Sequence, residues 1–101
     1  MKKIINGKKY DTETAKELGS SWNGLSPTDF NYCSEKLYRK KTGEFFLYGK
    51  GGARSQYAEQ VGNAWCGGED ITPYTEDKAK RWCENHLSVD EYEAIFGEVE
   101  E

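Results

Sequence analysis

Long apolar runs are missing from this chain. No stretch approaches the ~18 apolar residues of a membrane-spanning helix, and the opening Met1-Lys2-Lys3-Ile4-Ile5-Asn6-Gly7 lacks the apolar core of a secretory signal. Cysteine is scarce. Cys33, Cys66 and Cys83 are three, an odd number at wide spacing, which argues against a disulfide framework and for a reducing, cytoplasmic setting. His86 is the only histidine, so acid–base or nucleophilic chemistry would need a distant cysteine to meet it in space. These scarcities exclude a membrane protein and a secreted disulfide-rich miniprotein.

What remains is small and polar. The 101 residues (11.5 kDa) are 36% hydrophobic and 32% charged, with a mean hydropathy of −0.94. That is enough for one modest core, so residues 1–101 read as a single domain with a frayed end, not a multidomain enzyme. Leu, Ile and Val are few, and aromatics reach 14%, so rings must supply much of the interior.

The net charge of −4 hides an asymmetry. Residues 1–54 hold eleven Lys and Arg against six Asp and Glu, a net of +5. Residues 55–101 hold three against twelve, a net of −9. Such a division points to two surfaces with different partners, or to two differently solvated faces of one fold. The pI of 5.1 disfavours free nucleic acid as the main ligand.

The pattern along the chain predicts α+β: a small antiparallel sheet of hairpins with C-terminal helices packed on one face. Asn6-Gly7 inside Lys3–Tyr10 marks a type I′ hairpin. A strand is expected through Ala15–Ser21 after a turn at Asp11-Thr12, and a loop at Asn23–Thr28. Glu35–Tyr48 reads as a hairpin turning at Lys41-Thr42-Gly43. Its second arm puts Phe45 and Leu47 on one face and Phe46 and Tyr48 on the other, the mark of a central strand. Gly49-Lys50-Gly51-Gly52 should break the sheet, Ser55–Val61 should form a short helix, and Gly62–Gly68 should be loop. Glu69–Pro73 fits an edge strand, since Pro73 has no N–H to donate. Thr75 caps a helix whose Ala79, Trp82, Cys83 and Leu87 form one stripe. Ser88 and Glu91 make a capping box for a second helix, with Val89, Tyr92, Ile95 and Phe96 inward and Gly97 as its stop.

Four groups of residues bear on function. Gly49–Ser55, with Lys50 and Arg54, has the amides for an anion nest but lacks P-loop and dinucleotide spacing, so a strand-exit turn is the plainer role. Cys33, Cys66, Cys83 and His86 are the residue types of a Cys₃His zinc site. No Cys-x-x-Cys pair supports it, and buried cysteines serve equally as small apolar groups. Lys36, Arg39, Lys40, Lys41, Lys50 and Arg54, with Trp22, Phe30, Tyr32 and Tyr38 among the basic residues, could contact an anion or nucleic acid. Glu84, Asp90, Glu91, Glu93, Glu98, Glu100 and Glu101, with Glu76, could form a negative face that occupies a basic channel on another protein, or a solvated tail. No catalytic residues and no cofactor are expected.

Ile4–Ala15, Leu37–Gly49 and Asp90–Gly97 resemble a group of small, mostly uncharacterised proteins of phages and conjugative elements in gut Firmicutes. The group has no established active site to carry over. The resemblance implies an anti-defence protein similar to the anti-CRISPR class. On that basis the chain is expected to be a non-enzymatic inhibitor or adaptor, monomeric or dimeric, that binds a protein partner such as a CRISPR effector nuclease complex by nucleic-acid mimicry. The competing expectation is a small nucleic-acid-binding accessory protein using the basic hairpin.

Overall fold

The computed structural model describes residues 1–100. The chain opens with a hairpin of β1 (Lys2–Ile5) and β2 (Lys8–Asp11). Asn6 and Gly7 turn it at φ of 51° and 78°, the two left-handed positions a type I′ turn demands. There follow β3 (Lys16–Trp22), β4 (Cys33–Arg39), β5 (Phe45–Gly51), β6 (Glu59–Val61), β7 (Ala64–Cys66) and β8 (Gly68–Tyr74), then α1 (Glu76–His86) and α2 (Val89–Phe96). Strands β3-β4-β5-β8 form one antiparallel sheet in that spatial order, and β6 and β7 pair as a separate hairpin. The architecture is α+β, with the two helices packed against a sheet.

Period-two alternation sorts the central strands between two cores. Leu37, Phe45 and Leu47 face the helices and pack with Ala79, Trp82 and Cys83 of α1, while Tyr92, Ile95 and Phe96 of α2 close that side. On the opposite face Tyr38, Phe46 and Ile71 pack under Tyr10 of the first hairpin. Phe46 is fully buried there. Tyr38 stacks on it at 5.2 Å between ring centres and Tyr10 meets it edge-on at 5.5 Å. Rings do the work that the scarce aliphatics cannot, as their large apolar area allows.

Both helices begin where the sequence places them. The Thr75 side chain accepts the Lys78 amide at 3.2 Å. Ser88 and Glu91 form the reciprocal capping box, and Gly97 follows α2. Leu87 alone separates α1 from the Ser88 cap, which fixes a tight corner between the helices.

Four expectations are corrected. The glycines at Gly49 and Gly51 do not end the sheet; β5 runs through Gly51, paired with β4 and β8. Ser55–Val61 is not a helix. The Ser55 hydroxyl donates to the Gly52 carbonyl at 2.8 Å and accepts the Tyr57 amide at 3.2 Å, closing a local turn. Gly62–Gly68 is not all loop, because Ala64–Cys66 pairs with Glu59–Val61 across a turn at Gly62-Asn63. A Gly-Asn pair between short strands is a hairpin signal, and three residues on each side are too few to show periodicity. Val89 is not inward: it is 74% exposed, since the first helical residue lies beyond the edge of the core it precedes.

Candidate functional site

Glu35 of β4 lies on the helix-facing side of the sheet, in line with Leu37, and the register sets it beside Gly49 of β5. The absence of a side chain at Gly49 makes room for Tyr57, whose ring would overlap any Cβ placed there. Tyr57 thereby reaches across the strand, and its hydroxyl donates to the Glu35 carboxylate. Gln56 Nε2 donates to the same carboxylate at 3.0 Å and Trp82 Nε1 at 3.4 Å. One carboxylate thus ties the β5–β8 excursion to the sheet and to α1. Burial pushes the Tyr57 hydroxyl far above its ordinary pKa, reinforced by the bond to Glu35 and by its charge. Tyr74 is raised in the same sense, by burial first and Glu35 second. An acid on the inward face of a strand, between Cys33 and Leu37, is the sequence signal that could have singled out Glu35.

Beside this network runs an open groove of about 710 Å³ lined by Lys3, Glu35, Tyr57, Glu59, Glu69 and Asp70 among others. Lys3 Nζ meets Asp70 Oδ1 at 2.5 Å, pinning the first hairpin to the β8 edge. Tyr48 donates to Glu69 at 2.5 Å, and burial, followed by that bond, lifts its hydroxyl to about 12.

The four residues weighed as a zinc site do not gather. Cys83 is fully buried in the helix-side core, where burial, then the Glu84 charge, pushes its thiol up to about 11. Cys66 is exposed on β7, its Sγ 3.4 Å from the Glu59 carbonyl. Cys33 belongs to β4, its thiol also raised by burial and by Glu35. His86 Nδ1 lies 3.0 Å from the Ser21 hydroxyl, and its ring lies 4.8 Å from the Trp82 ring. Among the described residues no three His, Cys, Asp or Glu side chains are grouped to hold a metal ion. Raised thiols are poor nucleophiles near neutral pH.

Amides after Gly51 are taken up at the turn that leaves β5. The Gly52 and Arg54 amides donate to the Tyr32 and Phe30 carbonyls at 2.9 and 2.7 Å, and the Ser55 amide donates to the Gly52 carbonyl. Amides so committed cannot cradle a phosphate.

Four of the six basic candidates have a partner in an ion pair or an aromatic ring. Lys36 pairs with Glu17 at 3.4 Å and Lys40 with Glu44 at 3.8 Å. Lys40 also lies over the Tyr10 ring, Arg39 over Phe45 and Arg54 over Phe30. Lys41 and Lys50 are exposed. Of the rings expected among them, Tyr38 belongs to the core, whereas Trp22 and Phe30 are 61% and 63% exposed.

The acidic candidates do not gather as one set. Glu84, Glu93 and Glu100 line one hollow of about 350 Å³ with Leu87, Val89 and Tyr92. Glu91 turns the other way, capping Ser88 and lining a hollow shared with Lys16 and Arg39. Asp90 and Glu98 are exposed, and Glu101 lies outside the described residues. All five ion pairs among the described residues fall within residues 3–70. The eight acids from Glu76 to Glu100 have none.

No family model, curated protein or solved structure matches the chain.

Proposed function

We propose that the protein is a non-enzymatic inhibitor or adaptor that binds a cationic protein surface through its acidic helical end. In keeping with the resemblance to mobile-element proteins, the partner is a host defence nuclease complex, whose nucleic-acid channel the acidic end would occupy. One observation carries the proposal. Residues 76–100 hold eight acids against three bases, and none of those acids is ion-paired among the described residues. Uncompensated charge of one sign raises encounter rates with an oppositely charged surface and favours that partner over others.

The side-chain chemistry is consistent with binding in place of turnover. Glu35 accepts three side-chain donors and so holds Tyr57, Gln56 and Trp82 in position. The test is a reconstituted CRISPR effector challenged with target DNA in the presence of the full chain. Inhibition of DNA binding or cleavage is expected, weakening as salt rises and lost when Glu84, Glu98 and Glu100 become Gln. Unchanged interference across effectors from bacterial hosts of such elements would overturn the proposal.

A second reading is favoured by the sheet face remote from the helices. The register places Trp22, Lys36, Tyr48 and Lys50 together there, rings and cations of the kind that stack and neutralise a single strand. It predicts a low-salt gel shift with single-stranded DNA or RNA that disappears steeply as salt is added. No shift at low salt eliminates it.

A further inference from the structure

The hollow between the helices has a chemistry of its own. Its floor is the outer margin of the helix-side core, where Leu87 and Tyr92 are only partly buried. Val89 on one side and Val99 on the other stand 74% and 55% exposed. The Glu93 carboxylate accepts the Val99 amide at 2.9 Å, which holds the segment after α2 in place as a wall. Glu84 and Glu100 complete the rim. No lysine or arginine lines this hollow. The nearby α1 lysines are directed to other rings: Lys78 lies 5.9 Å over Tyr74 and Lys80 5.6 Å over Phe96. The result is an apolar slot edged by carboxylates that no base of the helical layer neutralises.

We infer that this slot is where the cationic partner docks, by inserting an apolar side chain of an amphipathic segment whose flanking Lys or Arg residues meet Glu84, Glu93 and Glu100. The inference rests on the reading of the helical end as the binding surface and specifies its anchor. Charge complementarity selects the occupant. Nucleic acid and acidic peptides are repelled by three carboxylates, while a basic segment gains both ion pairs and burial of Val89, Leu87 and Val99. An apolar anchor in a pocket ringed by charge also gives specificity that a purely acidic face lacks.

Binding of synthetic helices to the isotopically labelled full chain, followed by amide shifts in NMR spectra, tests the inference. A helix with leucine on one face and arginine on the rest should shift the amides of Leu87, Val89, Tyr92 and Val99. A probe with serine in place of leucine, or glutamate in place of arginine, should bind about tenfold more weakly. Val89→Ser, and separately Glu84→Gln with Glu100→Gln, should weaken the leucine–arginine helix to a similar degree. All three positions are exposed, and an unchanged spectrum elsewhere verifies the fold. Shifts that map to another surface, equal binding of the serine probe, or indifference to both sets of variants would overturn the slot. So would a dimer that buries it in sedimentation. If nuclease inhibition survives Val89→Ser undiminished, the slot is wrong and the acidic-face reading stands. If the slot binds its helix yet no nuclease is inhibited, the slot stands and the defence partner is wrong.

Discussion

Gly49 and Tyr57 show how much can depend on one missing side chain. Tyr57 occupies the space a Cβ at position 49 would need, and from there it binds Glu35. Gly49→Ala should expel the ring, break that bond and cost about 2 kcal/mol of stability, the usual scale of overpacking. Denaturant unfolding measures the loss, and a Tyr57 hydroxyl titrating nearer its ordinary range identifies the cause. The tyrosines also set an alkaline limit. Burial and the bond to Glu69 push the Tyr48 hydroxyl from its ordinary 10 up to about 12, and Tyr57 is raised further in the same direction. A raised folded-state pKa favours the protonated form in the fold, so its contribution is complete below pH 10 and disappears as pH climbs from 10 to 12. Stability should therefore fall across that window, and Tyr48→Phe should make the fall shallower in thermal melts taken against pH. Neither contact was legible in the sequence, because Glu35 and Tyr57 are 22 residues apart and only strand register brings them together.

At the scale of elements, legibility followed the strength of local rules. The Asn6-Gly7 turn, the Thr75 cap and the Ser88–Glu91 box are each contained within a few residues, and each forms as expected. Ser88→Ala removes the acceptor for the Glu91 amide and one of the two Ser88 donors to its carboxylate, the backbone amide remaining. It should cost about 1 kcal/mol, read as a lowered melting temperature with loss of helical circular dichroism. The segment from Gly49 to Gly68 was misread because its glycines signal breaks by composition, whereas in the fold they admit close neighbours. Gly51 carries β5 past Ser55 and Tyr32, and Gly68 begins β8 against Tyr57 and Glu59. All six strand residues of the β6–β7 hairpin are exposed, so no hydrophobic alternation announced it.

For the molecule as a whole, the layers and the charge are separable. The sheet is held by a helix-side core and a hairpin-side core, neither of which uses the acids of residues 84–100. Glu84→Gln, Glu98→Gln and Glu100→Gln together should therefore leave the melting temperature unchanged or raise it slightly at low salt, by relieving like-charge repulsion. The difference should vanish in high salt. A marked loss of stability would instead show that these carboxylates build the fold. The expected opposition of a basic hairpin body and an acidic helical end is altered in an instructive way. Five of the eleven bases in residues 1–54 are ion-paired and Arg39 and Arg54 lie over rings, while the other bases of that half, like the acids of the helical end, have no ion pair among the described residues.

The sequence by itself determined the fold class, the central position of β5, both helices and their caps, because periodicity, turn chemistry and capping act over a few neighbouring residues. Tertiary structure alone decided that the four Cys and His candidates stay apart, that Glu35 gathers Tyr57, Gln56 and Trp82, and that three of the terminal acids edge an apolar slot while Glu91 turns away. Those outcomes depend on strand register and helix docking, which are set by how the two cores close over the sheet and are invisible to any local window.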